Sequence, residues 1–277
     1  NGDSNDNLFM EAGGTANMAL SVSGSHFSSI EGDHIQASAL NSGTLSNVAI
    51  TNSTLTGGHT TALGQGITIN AATGVALGGW TARIDYDVNR NNIQGAVSNG
   101  VSVVLGTSGA AGTFDGFVRN NVIGTSGVSL SCSTQANGIY IDKRGNGTQN
   151  SSVTGNTVRQ CFDRAILTEA GDGSGVLNLT VQSNTLDQQV DAGAREAIQT
   201  NFGITSTNVF GVQDAPAVCL QLGGAGGLGN TFSNGGGAPD DFRLRKRFGA
   251  TVRLPGYAGG TDQTAGSLAQ VVAFIEG

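Results

Sequence analysis

The sequence predicts an all-β solenoid, a coil of short parallel strands stacked turn upon turn. Three observations carry this reading. A six-residue pattern, with a small polar residue set between two apolar ones, recurs at steps of roughly 30 residues. A second kind of short strand falls between its copies. The composition, 45 Gly among 277 residues and only 12% charged side chains, disfavours helices and suits bends and a neutral polar surface.

The first pattern begins at VSGSHF (Val22 to Phe27), ITNSTL (Ile50 to Leu55) and VNRNNI (Val88 to Ile93). It continues as VRNNVI (Val118 to Ile123), VTGNTV (Val153 to Val158) and VQSNTL (Val181 to Leu186). Weaker copies are ITSTNV (Ile204 to Val209) and GLGNTF (Gly227 to Phe232). The polar column is therefore Ser25, Ser53, Asn91, Asn121, Asn156, Asn184, Thr207 and Asn230. The flanking apolar residues point into a common core, and the small polar residue marks a sharp bend. Asn suits such a bend because it tolerates the left-handed conformation and bonds nearby backbone. Stacked coil on coil, these side chains form a ladder.

The second pattern is GITI at Gly66, GVSV at Gly100 and GIYI at Gly138, then AILT at Ala165, AIQT at Ala197 and AVCL at Ala217, with HIQA at His34 as a weak first member. The order along the chain is strand, variable loop, strand, bend, strand. Uneven coil lengths fit, since extra residues sit in surface loops whose closure costs little. A single repeat cannot bury its apolar face, so stability has to come from stacking. About eight coils are expected, over residues 18–235. An antiparallel sandwich would instead show turn signals every ten or so residues and one kind of strand.

The ends read differently. Residues 1–17 lack both patterns and read as a polar N-terminal extension. Residues 236–277 read as closing strands followed by a short helix, capped by Thr261 or Asp262, with Leu268, Val271, Val272 and Ile275 on its apolar side. Arg243, Arg245 and Arg247 alternate with Leu244 and Lys246, as on one face of a strand. They are a candidate anion site, set against a plain edge-protecting strand.

The VxxNxI copies and their GIxI partners resemble the right-handed parallel β-helix (pectate-lyase-like) superfamily. The LPGYAGG segment from Leu254 and the Ala/Val-rich tail resemble the C-terminal tails of β-helix segments in large repetitive bacterial surface proteins. These resemblances imply an extracellular structural or adhesive module of a larger secreted or cell-surface protein. Its partners would be neighbouring domains or copies of itself, joined end to end into a filament, with surface glycans as candidate ligands. The superfamily also holds polysaccharide lyases and hydrolases. That enzymatic alternative rests on Asp142 and Glu169, which follow GIYI and AILT in successive coils, with Lys143 and Arg144 beside them. Carboxylates at that spacing suit glycosidase chemistry, and a base beside them suits proton abstraction from a uronate. The Gly-His-Gly and Arg-x-Lys blocks of polygalacturonases are absent from the sequence, and the lone Trp80 lies far from Asp142.

Other chemistries find little support. No nucleotide loop, HExxH or GxSxG occurs, and no cofactor is expected. His26, His34 and His59 cluster near the start, and His26 and His34 read as solvent-facing, so no metal site is expected. A net charge of −7 gives no general attraction to nucleic acid, and no apolar run reaches the length of a membrane span. Cys132 and Cys161, 29 residues apart, can be a disulfide or two buried thiols, and Cys219 reads as core.

Overall fold

The computed structural model describes residues 6–28, 31–57, 64–71, 81–106, 111–187, 196–204, 214–224, 227–233 and 242–255. These form three sheets in which every paired strand is parallel to its neighbour. Sheet 1 stacks Leu8–Gly13, Ile35–Leu40, Ile67–Ala71, Val101–Leu105, Ile139–Arg144, Ile166–Gly171, Ile198–Phe202 and Phe242–Lys246. Sheet 2 stacks Asn17–Ser23, Thr44–Thr51, Arg83–Asn89, Thr113–Arg119, Thr148–Thr154, Val176–Gln182, Ala217–Leu222 and Thr251–Arg253. Sheet 3 stacks seven shorter strands: His26–Ser28, Thr54–Thr56, Asn92–Gln94, Val122–Ile123, Thr157–Val158, Thr185–Asp187 and Thr231–Ser233. The first seven coils visit sheets 1, 2 and 3 in turn, and the eighth visits sheets 1 and 2 among the described residues. The chain is a parallel β-helix, and its eight-stranded sheets match the expected coil number.

The core is a set of columns running along the axis. In sheet 1, Ile35, Ile67, Val101, Ile139, Ile166 and Ile198 are in register and wholly buried. Stacked side chains of like size give the tight packing that a narrow interior demands. The glycines that open the sheet 1 strands have a steric cause. A Cβ on Gly100 would come within 2.8 Å of the Gly138 carbonyl oxygen and 2.7 Å of the Ile123 side chain. Gly116 has a different role. Its register neighbour Tyr86 lies over it inside the coil, with the Tyr86 ring where a Cβ would stand, so that Tyr86 Oη reaches past it to bond Ser151 Oγ at 2.6 Å, two coils on from Tyr86.

The polar column stands at the bend between sheets 2 and 3. Asn91, Asn121, Asn156, Asn184 and Asn230 are buried and joined in one chain of hydrogen bonds. Asn121 illustrates the unit. Its Nδ2 donates to the Val88 carbonyl at 2.9 Å and to Asn156 Oδ1 at 3.0 Å. Its Oδ1 accepts from the backbone N–H of Asn91 at 2.9 Å and from Asn91 Nδ2 at 3.0 Å. Both amide hydrogens and both lone pairs are thus used. At the N-terminal end the column continues through Ser53 and Ser25, whose hydroxyls bond their own strands' carbonyls instead.

Four sequence expectations need correction. The column does not step to Thr207 after Asn184: Asn184 bonds Asn230 directly across 46 residues, and Leu186 pairs with Phe232. Thr207 itself lies outside the described residues, as does the expected C-terminal helix. Ala217–Leu222 belongs to sheet 2 rather than to the sheet 1 series. The coil begins before residue 18, since Leu8–Gly13 pairs with Ile35–Leu40 as the first strand of sheet 1. The left-handed residue of the bend is the one before the column: Gly24, Asn52, Arg90, Asn120, Gly155 and Ser183. That rotation swings the following side chain inward, so the column residue keeps ordinary backbone angles.

Cys132 and Cys161 form a disulfide, with Cα atoms 4.6 Å apart. It lies beside a short parallel column in which Ser133 bridges to both Ala96 and Cys161. The bond ties the long loop of one coil to the next coil.

Two outcomes are expected. Asn121→Ala should lower stability by about 3–5 kcal/mol in urea unfolding, because it leaves the Asn91 N–H, the Val88 carbonyl and Asn156 Oδ1 short of partners in the interior. Reducing the disulfide should lower stability by roughly 3–4 kcal/mol, the chain-entropy value for a loop of this size, with calorimetry under reducing and oxidising conditions as the check.

Candidate functional site

The outward residues of sheet 1 bring together most of the residues expected there. Asp142 and Glu169 are register partners in neighbouring coils. Tyr140 Oη lies 2.9 Å from Asp142 Oδ2 and 2.9 Å from Glu169 Oε2. Arg144 lies along the same face: Nε contacts Asp142 Oδ1 at 2.6 Å, Nη2 contacts Glu169 Oε2 at 3.0 Å, and Nη1 contacts Asp172 Oδ2 at 3.2 Å. Asn201, one coil on, donates to Glu169 Oε1 at 2.9 Å. Burial pushes the Asp142 carboxyl up to about 6, against the pull of Arg144. Burial, with the Asp142 and Glu169 charges, pushes the Tyr140 phenol up as well, so it remains a donor.

Lys143 does not belong to that face. Strand alternation turns it inward, in register with Leu105 and Ala170, and it is wholly buried. Its ammonium donates to the Gly145 carbonyl, in a space that Gly175 leaves open by having no side chain. Burial lowers its pKa to about 8, while the charges of Asp214, Asp142 and Asp172 oppose the shift. Lys143 therefore has no route to a substrate on the outer face.

The C-terminal arginines extend the same surface. Arg243 pairs with buried Glu196, which Arg164 Nε approaches to 3.9 Å. Arg245 stands in register with Asn201. Arg247 lies just past the strand and is exposed. The three do not act as one patch, because Arg243 is held by a carboxylate of the preceding coil. His34 is another correction: it is buried, with Nδ1 at 3.1 Å from Asn7 Nδ2 and Nε2 on the Gly57 carbonyl. Burial lowers its pKa, which suits a neutral ring bonded at both nitrogens. Among the described residues no cluster of His, Cys, Asp and Glu is suited to a metal ion, and His59 and Trp80 lie outside them.

The open site is on sheet 2, a face that the sequence patterns do not single out. A groove of about 710 Å³ runs over its outer side. One outward column is Asp85, Asp115, Asn150, Asn178 and Cys219. The next is Asp87, Phe117, Ser152, Thr180 and Gln221. Phe117 stands 48% exposed in the groove, with the Arg119 guanidinium 5.3 Å from its ring centre. Three carboxylates share two arginines here, with Arg83 3.4 Å from Asp115 as well as bonded to Asp85. Arg119 grips Asp87 through two bonds of 2.9 and 2.8 Å, and Arg83 grips Asp85 through bonds of 3.2 and 2.7 Å. Asn178 donates to Asn150 at 2.7 Å, and Asn150 donates to Asp115. The signal is present in RIDYDVN and TFDGFVR. Counting back four residues from Asn91 and Asn121 gives Asp87 and Phe117, the outward positions.

No protein-family profile, curated protein or solved structure matches the chain. The class that the molecule itself defines is a parallel β-helix with an internal asparagine ladder.

The pH dependence of Lys143 has a definite sign. Its folded pKa, about 8, lies below the unfolded value of 10.5. Between those values the unfolded chain binds the extra proton, so stability should rise with pH, by up to roughly 3 kcal/mol in total. Lys143→Met should flatten that rise in unfolding curves taken from pH 7.5 to 10.5. An equally steep rise in the variant would assign it to another group.

Proposed function

We propose that this chain is a non-catalytic structural and adhesive module of a larger secreted or cell-surface bacterial protein, akin to the β-helix segments of repetitive surface proteins and, more distantly, to the pectate-lyase-like superfamily. The observation that carries this reading is the Arg144 clamp. The carboxylates with the best claim to catalysis are tied to Arg144, Tyr140 and Asn201, which leaves both Asp142 oxygens and both Glu169 oxygens occupied. A catalytic carboxylate has to face its substrate. Here the charges join two successive coils and Asn201 adds a third, as cross-strand pairs do in any sheet.

Other features agree with an exported rod. A disulfide persists in oxidising compartments. The first coil leaves the far edge of Leu8–Gly13 without a strand partner among the described residues, beside exposed Phe9 and Met18. Such an edge invites a preceding domain or another copy of the chain, which is the basis for end-to-end assembly. Eight coils at ~4.8 Å make a rod of roughly 38 Å. The alternative, a polysaccharide lyase or hydrolase, is favoured by one fact: Asp142 and Glu169 do meet, and the Asp142 carboxyl is pushed up to about 6.

The two readings separate in one assay. Neutral and acidic polysaccharides incubated with the purified chain should yield no new reducing ends and no unsaturated uronates. Turnover that Asp142→Asn abolishes would establish the enzyme and reject the module.

A further inference from the structure

We propose that the groove on the outer face of sheet 2 binds a neutral oligosaccharide, lying along the rod axis with one sugar ring stacked on Phe117. The proposal names the ligand of the adhesive reading and rests on it.

The first argument is the aromatic. Only 5% of the chain is aromatic, and most outward positions of sheet 2 carry Asp, Asn, Ser or Thr. Phe117 breaks that rule in the middle of a concave surface and keeps about half of its area open there. Arg119 touches the ring but leaves it 48% exposed. A pyranose has an apolar C–H face and a hydroxyl rim, and a flat ring among hydrogen-bonding groups is its complement.

Charge selects against the competitors. Three carboxylates, Asp85, Asp87 and Asp115, line the groove against two arginines. Both arginines already hold a carboxylate through two bonds each. Their charge is thus met within the groove, and the one carboxylate in excess disfavours a uronate, sulfate or phosphate. A lipid would want more than one exposed apolar side chain. An extended peptide added as a strand would need an open edge, and the groove lies on a face whose backbone is already paired within the sheet. Hydroxyls are the remaining match. Asn150 and Asn178 present amides, and Ser152 and Thr180 present hydroxyls beside Phe117, groups that both donate and accept.

Direction comes from the register. The lining residues come from six successive strands, from Asn47 to Cys219 and Gln221, so the groove runs along the stack. At ~4.8 Å per strand that is roughly 24 Å, long enough for several linked sugars. Its volume is in the range of small-molecule sites.

Cys219 supplies an internal reporter. It is the chain's one free thiol, half-buried and within the groove lining. Hexaoses of β-linked glucose, mannose, galactose and N-acetylglucosamine, with hexagalacturonate as the acidic counterpart, should be titrated by calorimetry and tested for protection of Cys219 from N-ethylmaleimide. At least one neutral hexaose should bind and slow alkylation. Phe117→Ala and Asn150→Ala should each weaken that binding at least tenfold, while Phe9→Ala, an exposed aromatic in the first coil, should leave it unchanged. Absence of binding by all four neutral hexaoses, unchanged affinity in Phe117→Ala, or tighter binding of hexagalacturonate would overturn the proposal. So would protection of Cys219 that grows with protein concentration in the absence of sugar, which would assign the groove to a second copy. Cleavage of a bound hexaose would reject the non-catalytic reading and leave the groove assignment standing, whereas absence of binding would reject the groove and leave the module standing.

Discussion

Every coil of this molecule turns a sharp corner between its second and third sheets, and the backbone groups at that corner are buried. Left unpaired, each would cost about 1–3 kcal/mol. The asparagine column meets the requirement with one side chain per coil. Each Nδ2 reaches back to a carbonyl of the preceding coil, and each Oδ1 accepts a backbone N–H from it. The bonds run along the axis, so they fix the register of one coil on the next as well as satisfying the corner. The same residues that make the bend therefore set the stacking. Where the register is held so firmly on one side, the loops on the others are free to differ in length, and they do: successive rungs are separated by 30, 35, 28 and 46 residues.

That arrangement explains the composition. A stack held by internal amides and aliphatic columns needs few charges outside, and Asn, Ser and Thr satisfy much of the surface by bonding between coils, as Asn178 does with Asn150 and Thr51 with Ser23. The charges that remain occur where several coils have to be tied across a face. Arg144 does this on sheet 1 for Asp142, Glu169 and Asp172. Arg119 does it on sheet 2, reaching back one coil to Asp87. Both are short-range, geometrically defined pairs. The difference between the two faces is steric: the sheet 1 cluster is largely enclosed, and the sheet 2 cluster borders an open groove with an exposed ring.

Much of the fold is legible in the sequence because its main constraint is periodic there. The Asn column can be read because an amide is needed once per coil, and the GIxI strands because their opening glycines face a neighbouring carbonyl too closely for a side chain. Failures come where one local pattern serves two structures. ITSTNV has the spacing of a rung, yet Asn184 bonds Asn230 directly, and pairing of Leu186 with Phe232 fixes the next rung there. AVCL reads like a sheet 1 strand because both sheets are half apolar, and only the registry with Leu177 and Leu179 places it in sheet 2. The site is less legible. Asp142 and Glu169 emerge when successive coils are superposed, but Lys143 joins them by adjacency alone, although alternation within the strand sends it to the other side. Phe117 is hidden because the repeat is marked by its apolar inward positions, and an outward Phe in TFDGFVR looks like one more of them until the register is known.

The ladder is not uniform, and its gradient bears on how the rod meets its surroundings. From Asn91 to Asn230 each rung bonds the next through both backbone and side chain. At Ser53 and Ser25 a hydroxyl replaces the amide. It can accept one N–H from the coil before, but it turns its single hydrogen to its own strand and sends none between coils. Among the described rungs, the first two coils are thus joined at the corner by fewer side-chain bonds than the later pairs. The same first coil has a register shift between Met18 and Ala19, leaves Phe9 and Met18 exposed, and buries little of Asn17–Ser23. A closed cap would combine strong bonding with a polar outer layer. This end combines weak bonding with exposed apolar side chains and, among the described residues, a strand edge without a partner, and these are the features on which the proposed end-to-end assembly rests.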